Sequence, residues 1–252
     1  MSVSAEHADL RGVRALVTGG TSGLGRAMAH ALALAGAQAI ITGRDRGRAE
    51  ACASELGSNA AGIALDVRDS EAVDGAVEEI YARFGGLDVL INNAGIGMRT
   101  VNPRFLTEPQ PFWETSPAGF RDVVDTKLTG TFLVSRAIVP RMLEAGGGRV
   151  VIISMSPGTM TRRGFVPYGP SGAGVDALAQ VMAADLTGTS VRVNILLPGG
   201  PTATGMVPAD VSDEVRARLL DPGIMGPPIV WLASTQAAHL HGERIVATEF
   251  QQ

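Results

Sequence analysis

Hydrophobic and polar positions along this chain fall into two alternating patterns. Short apolar runs rich in Val and Ile occupy Arg14–Thr18, Gln38–Thr42, Ala61–Leu65, Leu87–Ile91, Arg149–Ser154, Val191–Leu196 and Arg244–Ala247. Between them, apolar residues recur at helical spacing over Gly23–Ala35, Arg46–Leu56, Ser70–Phe84, Pro117–Glu144 and Gly169–Leu186. Continuous apolar runs mark strands buried on both faces, and their alternation with helices calls for parallel strands joined by right-handed crossovers. The pattern predicts an α/β fold, a doubly wound parallel sheet of the Rossmann type, as a single domain over residues 1–252. Two stretches follow neither period, at about 96–117 and 198–228. Long irregular segments in a compact domain are usually functional, so both are expected to serve as substrate loops, the second as a lid.

Composition narrows the class without choosing a chemistry. A charged fraction of 18% and a hydrophobic fraction of 45% suit a well-buried enzyme. A net charge of -4 gives no electrostatic basis for binding nucleic acid or an anionic membrane. No apolar run approaches the ~18 residues of a membrane span. Met1 to Leu10 carries Glu6, His7 and Asp9 in place of an apolar stretch, so no secretory signal is expected. The one cysteine, Cys52, forms no intrachain disulfide, and a cytoplasmic setting is expected. His7, His30, His239 and His241 lack the spacing of metal ligands, so no metal is expected. The hydrolase pattern Gly-x-Ser-x-Gly is absent. Of the 21 basic residues, only Lys127 is a lysine.

The first apolar run leads into Thr18-Gly19-Gly20-Thr21-Ser22-Gly23-Leu24-Gly25, followed at once by an Ala-rich helical pattern. Glycines at such a turn let the backbone approach a pyrophosphate, and the helix N-terminus offers free N–H groups and positive potential. This predicts dinucleotide binding by Gly19, Thr21, Ser22, Gly23, Leu24 and Gly25. Where a NAD-binding chain places an acid at the end of its second strand, this one reads Gly43-Arg44. An arginine suits a 2′-phosphate, so NADP(H) is favoured over NAD(H), although Asp45 adjoins it.

The spacing of Thr18–Gly25, together with Asp66-Val67, Asn92-Asn93-Ala94-Gly95, Tyr168 at a helix start and Pro198-Gly199, resembles the short-chain dehydrogenase/reductase family over nearly the whole chain. The resemblance implies that Asp66 and Val67 hold the adenine and that Asn93, Ala94 and Gly95 line the cofactor cleft. It places Pro198, Gly199 and Thr204 near the nicotinamide, and it implies an oxidoreductase acting on a small molecule as a homo-oligomer, a dimer or tetramer.

The family's catalytic pattern comprises a tyrosine, a lysine four residues on, a serine thirteen residues earlier and an asparagine in the long helix. Here Tyr168 is matched, but the other three positions hold Gly172, Met155 and Lys127. Three readings stay open. The fold has lost its chemistry and only binds ligands. Or redox chemistry continues, with Lys127 restoring the missing charge and Ser154 or Ser156 the missing hydroxyl. Or the chemistry no longer needs the full relay: reduction of a carbonyl or imine with Tyr168 as a neutral acid, or a non-redox isomerase, dehydratase or cyclase reaction. A reductase of a carbonyl or imine is preferred. Met98, Trp113, Met155, Met160, Phe165, Met206 and Met225 are expected near the cleft and point to an apolar substrate. Arg99, Arg104, Arg162 and Arg163 are expected on the loops around it.

Overall fold

Each apolar run becomes a strand, the central ones buried between two helical layers and the two edge strands, Ala60–Ala64 and Arg244–Val246, only partly covered. The structure, a computed structural model, describes residues 8–208 and 210–251. The expectations for His7 and the chain before Ala8 lie outside the described residues. Among the described residues, seven strands form one parallel sheet in the order β3-β2-β1-β4-β5-β6-β7. They are β1 (Arg14–Val17), β2 (Gln38–Gly43), β3 (Ala60–Ala64), β4 (Val89–Asn92), β5 (Gly148–Ile153), β6 (Val191–Leu197) and β7 (Arg244–Val246). The helices are α1 (Gly23–Leu34), α2 (Arg46–Leu56), α3 (Ser70–Phe84), α4 (Pro117–Val124), α5 (Gly130–Glu144), α6 (Pro157–Met160), α7 (Tyr168–Asp185), α8 (Asp213–Ala217) and α9 (Gly226–Ala233). Successive strand side chains point to opposite faces. Leu16, Ile40, Val150 and Val193 therefore pack with α3, α5 and α7, while Val17, Ile41, Val151 and Leu196 pack with α1, α2 and α9.

Local chemistry sets the element boundaries. Asp45 accepts from Arg48 N at 2.6 Å and starts α2; Asp69 accepts from Glu71 N at 2.9 Å and starts α3. Gly85, with φ of 74°, ends α3 in the left-handed conformation that glycine adopts without strain. Strand β4 begins at Val89, later than the apolar run, because Asp88 turns aside to accept from Arg14 N at 2.8 Å and from its guanidinium.

Two expectations are corrected. The helical pattern over Pro117–Glu144 is not one regular helix: a π turn over Asp125–Thr129 separates α4 from α5. There the Thr126 hydroxyl donates to Asp122 O at 2.7 Å and the Thr131 hydroxyl to Lys127 O at 2.6 Å. Such back-bonding to the preceding turn loosens the regular ladder. The stretch 198–228 is also partly ordered, since it contains α8, a 3-10 turn over Pro222–Met225 and the start of α9. No helix among the described residues is long and apolar enough to cross a membrane.

Strand β3 and helix α2 approach so closely that a Cβ on Gly62 would lie 2.3 Å from the Ala49 carbonyl. Gly62→Ala must push α2 outward, and the expected loss is about 2–3 kcal/mol of unfolding free energy, read by urea titration.

Candidate active site

The strand order reverses between β1 and β4, and the segments that follow those strands part to leave a crevice. Its geometry is fixed by one interlock. The Thr18 hydroxyl accepts from Asn93 N and Ala94 N, both at 3.0 Å, and the Asn93 amide donates to Thr18 O at 2.9 Å and Gly19 O at 3.1 Å. Glycine is required at two points of this turn. A Cβ on Gly19, where φ is 63°, would lie 2.9 Å from Ala94 Cα; one on Gly25 would lie 2.4 Å from Asn93 Nδ2. The N-terminus of α1 opens directly into the crevice. Ser22 makes no side-chain cap there and the first turn holds no acid, whereas side chains cap α2, α3 and α4. The free N–H groups of Ser22 to Gly25 thus form a donor set that fits a pyrophosphate. Leu24 is half-buried, with its side chain against the core on the α1 side of the sheet.

The other predicted cofactor residues follow the C-terminal ends of β2, β3, β4 and β6. The methyl of Thr21 covers Gly43 and lies 2.8 Å from where a Cβ would be, and no side chain projects from the end of β2 at this position. Arg44 is exposed beside it, and the neighbouring Asp45 is engaged as the cap of α2. Asp66 pairs with Arg68 at 2.6 Å, which holds its carboxyl below the usual range, and Val67 is buried beneath Gly130. Gly95 follows the interlock half-buried. After β6, Pro198 and Gly199 turn the chain; Gly199 has φ of 93° and a Cβ there would strike Thr248.

From this turn the chain runs back towards α1 and Tyr168. Thr204 lies over Gly23, 3.3 Å from where a Cβ would be. Gly205 O accepts from Arg99 at 2.6 Å, and the Met206 sulfur lies 3.9 Å from the Tyr168 hydroxyl.

Tyr168 starts α7 and is positioned by Gly169, where a Cβ would collide with Met160 O. Its ring packs edge-on against Phe165, centroids 6.5 Å apart. Burial among apolar groups pushes the phenol above its ordinary value, so it is fully protonated at neutral pH.

The π turn brings Lys127 over the face of that ring. Its ammonium lies 5.7 Å from the ring centroid and donates to Ile153 O at 3.4 Å. The residue is only 7% exposed. Burial lowers its pKa to about 8, with Asp176 opposing the shift. Met155 is buried with its methyl group against Gly172, 2.6 Å from where a Cβ would be, and so fills the space beside the α7 backbone. The Ser154 hydroxyl donates to Asp176; the Ser156 hydroxyl pairs with Thr159 at 2.9 Å at the start of α6.

Sequence reasoning missed Asp176 and Arg244. Asp176 was open to helical spacing, since it follows Gly172 by four residues on the face of α7 that carries Tyr168. Arg244, on the edge strand, gave no such signal. On the substrate side, Met98 and Phe165 cluster with Phe105 beneath Tyr168. Trp113 and Phe112 stand exposed edge-to-face at 5.2 Å, beside Arg162, Arg163 and Val166 around a depression of about 280 Å³. Met225 does not border the cleft: the 3-10 turn carries it into the core against α1 and α9. His241 fastens β6 to α7, accepting from Val193 N at 3.3 Å and lying 2.7 Å from Ala183 O.

Comparison with known proteins identifies the class. Residues 14–215 match the short chain dehydrogenase family. The chain is 34% identical to the 3-oxoacyl-(acyl-carrier-protein) reductase of Vibrio cholerae, over 94% of this chain and 96% of that one. It is 35% identical to the 2-dehydro-3-deoxy-D-gluconate 5-dehydrogenase of Formosa agariphila, over 95% and 92%. Among solved structures, the 3-ketoacyl-(acyl-carrier-protein) reductase of Brucella melitensis, complexed with NADH, superposes with a TM-score of 0.83 at 29% identity, over 94% and 96%. The chain belongs to the short-chain dehydrogenase family, and with it to the NAD(P)-dependent oxidoreductases.

The buried ammonium makes stability depend on pH. An unfolded lysine keeps its proton to about 10.5, while the folded one loses it near 8. Between these values the unfolded state binds more protons, so raising the pH favours the folded state. Wild type is expected to gain about 3 kcal/mol over that window relative to Lys127→Met, measured by denaturant unfolding at each pH.

Proposed function

We propose that this chain is an NADP(H)-dependent reductase of a carbonyl or imine on an apolar small molecule, working with an atypical active site. The observation that carries the reading is the neutral phenol of Tyr168, held beside Met206 in an apolar pocket, with a cation buried against its ring face. In this reading Gly19, Thr21, Ser22, Gly23, Leu24, Gly25, Asp66, Val67, Asn93, Ala94, Gly95, Pro198, Gly199 and Thr204 bind and orient the dinucleotide. Held there, a nicotinamide dinucleotide would supply the hydride chemistry. Tyr168 gives its proton to the oxygen or nitrogen that gains the electron pair. Lys127 supplies positive charge that stabilises the phenolate left behind.

The three departures at Met155, Gly172 and Lys127 then form a coordinated set. The thioether occupies the room beside Gly172 that a long side chain would need, and the charge enters from the neighbouring helix instead. Ser154 is held by Asp176, which leaves Ser156 as the hydroxyl nearer to the substrate side. With its phenol protonated at neutral pH, Tyr168 is available as an acid and not as a base, so turnover is expected to run towards reduction. The relatives named as reductases of 3-oxoacyl groups support that direction. We further expect a cytoplasmic homo-oligomer; exposed Phe120, Phe132 and Leu143 on α4 and α5 would suit subunit contact.

The test is NADPH oxidation at neutral pH with a panel of apolar ketones, 3-oxoacyl thioesters and cyclic imines. Reduction of at least one class is expected, alcohol oxidation should be much slower, and Lys127→Ala should lower kcat by at least about tenfold. Tight NADPH binding with no acceptor reduced would favour the second reading, a ligand-binding or non-redox member of the family, to which the loss of a cation beside Tyr168 on α7 also points. For the cofactor, Arg44→Ala should raise the Kd of NADPH by about 10- to 100-fold and leave that of NADH nearly unchanged, measured by nucleotide fluorescence.

A further inference from the structure

Three charged side chains from three separate elements converge on the end of β5. Lys127, from the π turn, donates to Ile153 O. Asp176, from α7, accepts the Ser154 hydroxyl on one carboxylate oxygen and pairs with Arg244 of β7 through the other. A second arm of Arg244 donates to Met155 O. Consecutive residues 153, 154 and 155 are thus each gripped from a different direction, and Asp176 is the member common to two of the grips. The Asp176 and Arg244 side chains are only 21% and 29% exposed, so the pair is not an ordinary solvated surface bridge.

The same carboxylate answers an electrostatic need. An ammonium taken out of water requires a compensating charge inside the protein. The groups facing Lys127 can be named element by element. Strand β5 offers the Ile153 carbonyl and α7 the Tyr168 ring; Asp176, held at the next residue of the β5 end through Ser154, acts on the ammonium through space, and β7 contributes Arg244, whose positive charge shares Asp176. Within the π turn itself, Asp125 accepts from the Thr129 hydroxyl at 3.4 Å.

We propose that Asp176 is a positioning residue of this site: through Ser154 and Arg244 it fixes the turn that carries Met155, and it supplies the counter-charge for the Lys127 ammonium that lies over the Tyr168 ring. The role of that ammonium in turnover rests on the reductase reading; the counter-charge itself does not.

The sequence makes a direct test simple, because Lys127 is the sole lysine. The full-length protein grown on 13C-labelled lysine gives one lysine side-chain signal, and its Cε shift can be followed through a pH titration. The wild-type midpoint is expected near 8. Asp176→Asn should lower it by at least about one pH unit, while Asp176→Glu should restore most of the difference. A midpoint unmoved by Asp176→Asn overturns the proposal. Should that variant fail to fold, Arg244→Met decides: removing the competing cation should raise the midpoint by about half a unit, and no rise overturns the proposal. The alkaline limb of the kcat profile, recorded in parallel, separates the two readings. If the midpoint moves and the limb does not, Asp176 keeps its role as counter-charge, and the part given to Lys127 in turnover falls.

Discussion

The crevice depends on how tightly β1 and β4 are tied where their chains diverge. Parallel neighbours with helices on opposite faces leave a gap beyond their ends, and nothing in the sheet ladder sets its width. The Thr18 hydroxyl and the Asn93 amide set it, by joining the two departing backbones with four hydrogen bonds. Gly19 and Gly25 are glycine because this junction leaves no room for a Cβ. The open N-terminus of α1, the contact at Thr204 and the placing of Tyr168 opposite all take their reference from this joint. A larger residue in the turn would therefore change the spacing of the whole rim.

The wall opposite is organised by charge. A buried ammonium, a carboxylate and a guanidinium sit in sequence from the π turn through α7 to β7. Each is costly to bury alone; the one carboxylate offsets part of the charge of the two cations, and the cations also satisfy carbonyls at the end of β5. Met155 and Gly172 show the same mutual dependence in steric form, since the thioether lies where the glycine leaves space. Changing either residue singly would disturb a fit that both create.

Much of the fold was legible because strands buried on two faces leave uninterrupted apolar runs, and all seven runs became strands. The bounds of α2 and α3 were legible to the residue, since Asp45 and Asp69 start them and glycines follow them. The π turn was hidden, because one extra residue in a turn hardly alters apolar spacing over a long helix. Met225 was misplaced for a related reason: an irregular Pro- and Gly-rich stretch gives no period from which to tell core from rim. At the site, the glycine turn and Tyr168 could be read from local order along the chain. One of the three readings puts the ammonium of Lys127 near Tyr168, from its place in the family's pattern, but gives no sign of its burial or of Asp176. Asp176 and Arg244 are 68 positions apart, and only the pairing of β6 with β7 beside α7 brings them together.

The solitary lysine has a practical corollary. Acylating and cross-linking reagents that seek primary amines find no side-chain target on the outside of this fold, because the one they could modify is enclosed. Acylation of that residue requires the interior to open, so its rate under native conditions would report how often the cleft wall loosens, much as amide exchange reports local unfolding.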